Sequence, residues 1–397
     1  MSHHLGGFVV IGFIQMITML KKILIVCDAS KTLLAFRGKL IEKMKEKHQV
    51  YVFTPEIGHD FIRKGLREMG VIVIENKLNA SNISVISDLN YILSLNRVIK
   101  EIKPDVFFPF AFKPVIYGTF LAKLNQINLI SPMLTGLGYN FAEGNNKKFV
   151  ASITRLLLKT SLKKHPRLNI IFQNRDDADK LLDLKIISPN HNVHVVNGSG
   201  VDLSHYAYSE PQTDSITFLM IARLINAKGV NEYYEAAQII KEKYPHIEFK
   251  LIGDYDKNID SISKDLYQKI ISENTINYLG HVNDVRTEIA QSSVVVLPSY
   301  YREGVPRSLL ESMAMGRAVI TCDTPGCKET INGKIGRENG FLIPPKDSRT
   351  LADKMEFFIL NREKITDYGK EGLAFAKEKF DVNLVNKDML RIMELEN

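Results

Sequence analysis

The first half of the chain alternates short apolar runs with segments of helical periodicity. The apolar runs are about five residues long, as in KILIVC (22–27) and DVFFPF (105–110). Continuous apolar strands separated by helices are typical of a parallel sheet that is covered on both faces. The pattern predicts strands over 22–27, 49–55, 71–75, 105–110, 128–134, 169–174 and 193–198, and helices over 33–47, 60–69, 87–102, 115–125, 147–164 and from Asp176.

The same alternation restarts after a polar, turn-rich stretch (199–215), which we interpret as an interdomain linker. Strands are predicted over 216–223, 248–253, 276–280, 294–298, 318–321 and 340–344, with helices from Val230, over 260–273 and 283–291, from Pro306 and beyond Arg349. Two doubly wound α/β units predict a cleft between them, and ligands of such folds lie beyond the carboxyl ends of the strands. The predicted divisions are an extension (1–21), a first domain (22–200), a second domain (201–375) and a C-terminal helix that packs back on the first domain (376–397).

Composition agrees with a multidomain globular protein, because 397 residues with 45% hydrophobic and 24% charged residues can bury large cores. The cysteines Cys27, Cys322 and Cys327 lack the spacing of a zinc site or a disulfide framework. We expect reduced thiols in a cytoplasmic protein. The net charge of +7 favours an anionic partner, without distinguishing phosphate, nucleic acid and membrane.

The most apolar stretch, FVVIGFIQMITML (8–20), is shorter than the roughly 20 residues that span a bilayer. We interpret it as an upstream extension with Met19 as the natural start. The alternative is an apolar finger that touches a membrane or a partner. Since no other segment is long and apolar enough to span, we expect a protein that is soluble or peripheral to the membrane.

The segment SYYREGVPRSLLE (299–311) carries the most informative chemistry. A buried strand ends before it, and a loop with Glu303 and Gly304 leads to Pro306, which suits the first turn of a helix. Such a helix start directs backbone N–H groups at an anion. Glu303 precedes the helix and Glu311 lies more than one turn inside it, so the two carboxylates can face opposite ends of an extended ligand. The alternative is a pair of ordinary surface carboxylates.

Two cations follow the first strand of the second unit. Arg223 and Lys228 lie on one strand-end loop, where an Arg fork and a Lys point charge suit a diphosphate. Solvated loop charges are the alternative. The presence of this pair and of the Glu303 loop at strand ends of one domain favours the binding interpretation.

Three motifs in the second half resemble retaining glycosyltransferases of family 4, which have the GT-B fold of two Rossmann-like domains. They are RLINAKG (223–229), EGVPRSLLE (303–311) and MAMGRAVITCDTPGCKETI (313–331). Three further segments resemble the branch that extends undecaprenyl-diphosphate-linked sugars, to which the diacetylbacillosaminyl-diphospho-undecaprenol N-acetylgalactosaminyltransferases belong. These are KPVIYG (113–118), TGLGYNF (135–141) and NGSGVDL (197–203).

The resemblance implies a donor site whose catalytic residues are Glu303, Arg223 and Lys228. Arg223 and Lys228 would bind the diphosphate of a nucleotide sugar, Glu303 the sugar hydroxyls near the reacting carbon, and Glu311 the ribose. The remaining donor contacts are expected at Gly304, Val305, Pro306, Ser308, Leu309 and Leu310. A hexose or N-acetylhexosamine would be transferred with retention, from a UDP-sugar by family habit, with no cofactor and no metal. Glu303 is not expected to be a nucleophile.

The first domain is expected to hold a lipid-linked saccharide acceptor, in surface polysaccharide or glycan synthesis. Candidate acceptor residues are Ser30, Arg37, Lys113, Gly136 and Gly138. Arg37 has the alternative of a plain surface charge, and the two glycines that of turn residues. Many family members have a histidine where this chain has Phe112, so a histidine-based role is in doubt.

The segment 147–167 carries many cations and no acidic residue. Its apolar residues are compatible with one helical stripe: Phe149, Ile153, Leu156, Leu157 and Leu162. A basic amphipathic helix is typical of a membrane-surface binder, which would place the enzyme at the inner face of the cytoplasmic membrane. The alternative is a packed helix with a solvated basic face.

Other functions find less support. Asp254 and Asp256 form a D-x-D pair, but they follow an inner strand of the second domain, so we expect no metal there. A nucleotide-sugar epimerase of the same fold is the first alternative function. A nucleic-acid-binding protein is the second; it rests on net charge alone, and we expect no nucleic acid partner.

Overall fold

The computed structural model describes residues 20–31, 33–77, 85–138, 141, 148–255 and 260–396. Nearly all of the predicted N-terminal extension (1–21) lies outside these ranges. Within them the chain forms two parallel α/β units, as the sequence predicts. No helix in the described part of the chain is long and apolar enough to cross a bilayer.

The first unit is built on a sheet of order β3-β2-β1-β4-β5 that continues into β6-β7-β8. Its strands are β1 (Lys22–Val26), β2 (Gln49–Pro55), β3 (Ile72–Asn76), β4 (Val106–Pro109), β5 (Leu129–Ile130), β6 (Met133–Leu134), β7 (Asn169–Phe172) and β8 (Asn192–Val195). Its helices are α1 (Leu33–Lys45), α2 (Asp60–Glu68), α3 (Val85–Ile102), α4 (Thr119–Leu124, after a π-helical turn at Pro114–Gly118), α5 (Lys148–Ser161) and α6 (Arg175–Asp183).

The single strand predicted over 128–134 is split in two. Ser131 donates its N–H to Phe107 in β4 at 2.9 Å, whereas Pro132 accepts from Ile171 in β7 at 2.9 Å. Because proline has no N–H to donate, the ladder with β4 cannot continue through Pro132. The chain therefore changes its partner strand at this point, and the sheet extends towards β7.

The second unit has the strand order β11-β10-β9-β12-β13-β14, with all neighbours parallel. Its strands are β9 (Thr217–Ile221), β10 (Glu248–Ile252), β11 (Asn277–Gly280), β12 (Val294–Leu297), β13 (Ala318–Cys322) and β14 (Gly340–Ile343). Its helices are α7 (Val230–Lys243), α8 (Lys264–Ser272), α9 (Arg286–Ala290), α10 (Arg307–Ala314), α11 (Ser348–Leu360) and α12 (Glu363–Phe375), and α13 (Val382–Ile392) follows.

The chain passes between the two units twice, at neighbouring points. Val201 donates to Phe380 at 2.8 Å and accepts from Val382 at 3.0 Å, so the outgoing and returning segments pair as a short bridge. Helix α13 then packs Val385 and Met389 into the same apolar core as β1 and α1. The C-terminal helix is therefore part of the first unit's core.

The strand order fixes where ligands bind. In each sheet the order reverses at one point, between β1 and β4 in the first unit and between β9 and β12 in the second. The loops at the carboxyl ends of these four strands surround the crevice in which doubly wound folds bind ligands. The chain emerges there at Asp28, Ala111, Ala222 and Pro298.

Candidate functional site

An ion pair between Lys228 and Glu303 lies at the carboxyl end of the second sheet. The ammonium of Lys228 is 2.7 and 2.6 Å from the two carboxylate oxygens of Glu303, and Ser299 donates its hydroxyl to the same carboxylate at 2.8 Å. Gly229 makes this approach possible: its φ is +78°, and a Cβ there would lie 2.2 Å from the carbonyl oxygen of Pro298. The loops after β9 and β12 thus pack backbone to backbone.

Helix α10 begins directly beyond this pair. Pro306 precedes it, and no side chain caps it. The first N–H groups of a helix have no acceptor within it, so those of Arg307, Ser308 and Leu309 are available to an anion. Two of the expected donor contacts have other partners: Gly304 donates to Thr135 of the first domain at 3.0 Å, and Leu310 donates within the helix to Pro306 at 3.3 Å.

Two further residues are expected to bind the donor. Arg223 is exposed, and its carbonyl accepts from the N–H of Ile225 at 2.8 Å. Glu311 is buried and accepts from Arg307 at 2.8 Å. The guanidinium of Arg307 also lies 5.4 Å from the ring of Phe36 in the first domain and 6.0 Å from that of Tyr206. Arg307 therefore connects the Glu311 carboxylate to the opposite wall of the cleft.

A set of polar contacts, here called the clasp, joins residues 302–304 to the first domain. Arg302 donates its Nε to Asp177 at 2.9 Å and accepts at its carbonyl from Gly138 at 2.7 Å. The amide of Asn174 donates to the carbonyl of Glu303 at 3.3 Å. Burial raises the pKa of the Asp177 carboxyl to about 6, despite the neighbouring Arg302. The clasp holds the Glu303 loop against the first domain.

A cavity of about 180 Å³ lies beside the clasp and is lined by both domains. The first domain contributes Asp28, Phe36, Arg37, Phe110, Ala111, Thr135, Gln173 and Ser199, and the second contributes Glu303, Gly304, Val305, Pro306 and Arg307. Arg37 is almost fully buried, and its Nε has no hydrogen-bond partner among the described residues. Burial, with some repulsion from Arg307, lowers the pKa of its guanidinium to about 10. A buried cation without a carboxylate partner is suited to a bound anion.

The other expected acceptor residues have structural partners. The hydroxyl of Ser30 donates to the carbonyl of Glu56 at 3.2 Å, and Lys113 donates to Asp88 at 2.8 Å. Gly136 and Gly138 pack against the second domain: a Cβ on Gly136 would lie 2.6 Å from the nitrogen of Gly304. Of the five candidates, the cavity includes Arg37 alone.

Among the cavity residues that the sequence analysis missed, two are charged, Asp28 and Arg307. Asp28 lies immediately beyond the central strand β1, a position that the rule for doubly wound folds singles out. Burial raises the pKa of its carboxyl to about 6. Arg307 lies inside the EGVPRSLLE motif, four residues before Glu311, a spacing that brings two side chains together on one helix. Its contact with Phe36 of the first domain depends on how the two domains meet, which spacing does not predict.

The described residues hold no cluster of three or more His, Cys, Asp or Glu side chains that could bind a metal ion. Asp254 lies 3.2 Å from Nδ1 of His281, and Asp256 lies outside the described residues. The three cysteines are unpaired and buried. Burial raises the pKa of the Cys27 and Cys327 thiols to about 12, so neither is a ready nucleophile.

Comparisons with known proteins indicate the family of the chain. The family model "Glycosyl transferases group 1" matches residues 207–374, and "Glycosyl transferase 4-like" matches residues 22–174. The chain is 26% identical, over 92% of its length and 96% of the relative's, to N,N'-diacetylbacillosaminyl-diphospho-undecaprenol alpha-1,3-N-acetylgalactosaminyltransferase of Campylobacter jejuni. It is 28% identical, over 67% of its length and 69% of the relative's, to UDP-Gal:alpha-D-GlcNAc-diphosphoundecaprenol alpha-1,3-galactosyltransferase of Escherichia coli.

Solved structures show the same fold. The crystal structure of Anabaena Alr3699/HepE in complex with UDP-glucose covers 94% of this chain and 99% of its own, with a TM-score of 0.74 and 17% identity. The two family models together cover most of the chain and meet near the interdomain linker. The chain belongs to the GT-B glycosyltransferases that resemble family 4.

Proposed function

We propose that this glycosyltransferase moves a hexose or N-acetylhexosamine, with retention, from a UDP-sugar to an undecaprenyl-diphosphate-linked saccharide. The observation that carries the proposal is the Lys228–Glu303 pair beside the uncapped start of α10. The strand-end loops of one domain thereby offer a cation and N–H groups to a diphosphate, together with a carboxylate to sugar hydroxyls. The names of the two relatives and the UDP complexes of HepE support the choice of substrates.

The donor would lie across the carboxyl ends of β9 and β12. Its diphosphate would bind to the side chains of Lys228 and Arg223 and to the N–H groups at the start of α10, those of Arg307, Ser308 and Leu309. The Glu303 carboxylate would accept hydrogen bonds from the hydroxyls of the transferred sugar. As the bond from the sugar to the diphosphate breaks, negative charge grows on the diphosphate. Donors that are already in position stabilise that charge without reorganisation. Glu311 would hold the ribose.

We infer that these fixed cations stabilise the negative charge on the leaving diphosphate, which other enzymes achieve with a bound metal ion. No carboxylate except Glu303 has to approach the diphosphate in this arrangement, and Glu303 is neutralised by Lys228. Attack of the acceptor on the face from which the diphosphate leaves would give retention without a covalent intermediate. The expected signature is turnover that survives EDTA, with the anomeric configuration of the donor preserved in the product.

The acceptor would enter the interdomain cavity with its diphosphate near Arg37. The buried guanidinium has no carboxylate partner within the described part of the chain, and an anion would relieve the repulsion from Arg307. Ser30, Lys113 and the two glycines would then support this wall rather than touch phosphate. Arg37→Ala should accordingly raise the acceptor KM more than the donor KM.

The experiment is a mass-spectrometric screen of UDP-sugars against synthetic undecaprenyl-diphosphate mono- and disaccharides, with product stereochemistry determined by NMR. Growth of the acceptor by one sugar with retention supports the proposal. Formation of an epimeric donor without acceptor would instead identify an epimerase. Salt-dependent oligonucleotide binding without sugar transfer would favour the nucleic acid alternative and overturn the proposal.

A lipid-linked acceptor requires the enzyme to reach a membrane, and we propose residues 147–167 as part of that contact. In α5 the side chains of Ile153, Leu156 and Leu157 are exposed, next to the exposed cations Lys159 and Lys163. Leu162, which the sequence predicts on the same apolar stripe, follows the end of α5 and is fully buried, so it does not belong to this surface. The side chain of Phe149 lies outside the described residues.

Helix α4 packs against α5 and adds Phe120 and Leu124 to the exposed apolar side chains. Lys123 joins the two helices by donating to the carbonyls of Ser161 and Lys163, both at 2.6 Å. Apolar side chains flanked by cations are typical of a peripheral contact with anionic lipid. With three unpaired thiols in addition, this surface supports a location at the inner face of the cytoplasmic membrane.

A further inference from the structure

Asp28 places a carboxylate in the interdomain cavity that the donor site does not use. It follows β1 at the point where the strand order of the first sheet reverses, and it shares the cavity wall with Glu303 and Gly304 of the second domain. Its carboxylate accepts a hydrogen bond from the backbone N–H of Asp28 itself, and it forms no ion pair with another side chain among the described residues. A buried carboxylate that has only one local hydrogen bond is costly, and a ligand with hydroxyl groups can supply the missing hydrogen bonds.

The cations nearest to Asp28 are committed elsewhere. Lys113 attracts the carboxylate, but its ammonium lies 2.8 Å from Asp88, which also accepts from the hydroxyl of Tyr117 at 2.9 Å. The charged neighbour that lowers the pKa of Arg37 is Arg307. The cavity lining therefore carries two neighbouring cations, Arg37 and Arg307, and two carboxylates, Asp28 and Glu303, of which Glu303 is paired with Lys228.

These charges determine which part of an acceptor can bind near Arg37 and which part can bind near Asp28. A diphosphate would be repelled by Asp28 and attracted by Arg37, whereas sugar hydroxyls can donate to a carboxylate. Glu303, proposed to hold the donor sugar, lines the same cavity as Asp28. A hydroxyl held by Asp28 would therefore face the donor sugar.

We propose that Asp28 accepts the hydrogen bond of the attacking acceptor hydroxyl and takes its proton during transfer. The bond between the sugar carbon and the diphosphate breaks, and its electron pair leaves with the nucleotide. The acceptor oxygen forms the new bond to that carbon and loses its proton to the Asp28 carboxylate, which returns it to solvent after release. This role rests on the proposed function and adds a residue on the acceptor side.

The environment suits a base at neutral pH. Burial raises the pKa of the Asp28 carboxyl to about 6, so that it is ionised at pH 7.5 and yet accepts a proton more readily than an exposed aspartate. The titratable and charged groups around it are Lys113 after β4, Tyr91 in α3, Cys27 directly after β1, and Tyr301 and Glu303 after β12. Burial raises the pKa of Cys27, Tyr91 and Tyr301, so none of these three ionises near pH 6.

The test compares full-length wild type with Asp28→Asn and the control Asp60→Asn, an exposed carboxylate in the first turn of α2. Asp28→Asn should lower kcat by about 10²–10⁴-fold, as loss of a base does, while UDP affinity measured by calorimetry stays within about twofold. The wild-type profile of kcat against pH should fall below about pH 6, and this acid limb should be missing in Asp28→Asn. Asp60→Asn should match wild type.

The outcomes separate two failures. If wild type transfers sugar and Asp28→Asn does so within about threefold, or keeps the acid limb, Asp28 is not the base, and the proposed function stands. If Asp28→Asn loses UDP affinity as well as turnover, the side chain supports the fold and this inference is overturned. If wild type transfers no sugar from any UDP donor, the proposed function fails, and the role of Asp28 falls with it.

Discussion

Lys228 and Glu303 neutralise each other across two hydrogen bonds of 2.7 and 2.6 Å, with their side chains only 13% and 15% exposed. The two residues are 75 positions apart and lie on loops after different strands. Binding of a donor therefore does not have to desolvate two separate charges. The diphosphate can approach Lys228 while the sugar hydroxyls donate to Glu303, and the pair remains intact.

Lys228→Ala should reduce kcat/KM by about 10²–10³-fold, the usual effect of removing one preorganised donor from developing negative charge. UDP affinity should also weaken, because a charge-assisted contact is lost. Steady-state kinetics and calorimetry with UDP measure the two effects. Glu303→Ala should lose turnover as severely while UDP affinity is kept, since Glu303 faces the sugar. A Lys228→Ala enzyme with wild-type kcat/KM would contradict the donor site.

Gly136→Ala should disturb the clasp from the first domain. The φ of Gly136 is +122°, and an added Cβ would lie 2.6 Å from the nitrogen of Gly304 and 2.7 Å from the backbone of Glu303. A displacement of about 1 Å at a reacting group can cost about 10²-fold in rate. We expect that loss in kcat with nearly unchanged UDP affinity, because Arg223, Lys228 and α10 belong to the second domain.

The matched control is Gly58→Ala, where no atom lies within 4 Å of the added Cβ and φ is not positive. Small-angle scattering should show a larger radius of gyration for Gly136→Ala than for Gly58→Ala, as the domains separate. Equal kcat for the two variants would mean that the contact between Gly136 and Gly304 does not position Glu303.

Much of this arrangement could be predicted from the sequence, because strand order and strand ends follow from local pattern. Arg223, Lys228 and Glu303 were placed at strand ends of one sheet by alternation alone, and the structure brings Lys228 and Glu303 into contact. The contacts of the first domain were not predictable in the same way. Arg37 belongs to the cavity and Ser30 does not, although both lie in one short segment after β1. That difference depends on side-chain direction and on how the second domain covers the first.

The exposed apolar side chains of α4 and α5 should bind anionic vesicles. Leu156→Glu should lower the fraction that floats with phosphatidylglycerol liposomes, because it places a charge where the acyl boundary would lie. Its control is Leu360→Glu on the second domain, since Leu360 is 66% exposed and Leu156 is 65% exposed. The triple change of Lys159, Lys163 and Lys164 to Glu should also lower flotation, in a salt-dependent manner. Equal flotation of the Leu156→Glu and Leu360→Glu proteins would rule out this membrane contact.

Arg317→Ala should destabilise the second domain by about 3–5 kcal/mol, because it leaves a cavity and several buried carbonyls without their donors. The Arg317 side chain is fully buried and donates to backbone carbonyls of Ser209, Ile289, Ala290 and Met315 at 2.6–3.1 Å. Lysine should not rescue it, because its three donors lack the planar fork. Urea unfolding measures the loss.

The control for Arg317 is Arg362→Ala. Arg362 also donates to linker carbonyls, those of Thr213 and Asp214 at 3.2 and 3.1 Å, but these contacts are exposed. Surface changes of this kind stay within about 0.5 kcal/mol. If both variants lost equal stability, burial of Arg317 would not be the cause.

Asp28→Asn should make the protein more stable at neutral pH even as it impairs transfer. Its carboxyl pKa is raised from 3.8 to about 6 by burial, so the folded state binds the proton more tightly than the unfolded state. Ionisation of Asp28 therefore opposes folding. The loss of folding free energy is absent below about pH 4, grows as the pH rises towards 6, and is complete above pH 6. At about 1.4 kcal/mol per pKa unit, the variant should gain up to about 3 kcal/mol at pH 7.5 and almost nothing at pH 4. Urea unfolding at the two pH values measures the difference, and a variant that is less stable than wild type at pH 7.5 would mean that Asp28 has a structural partner.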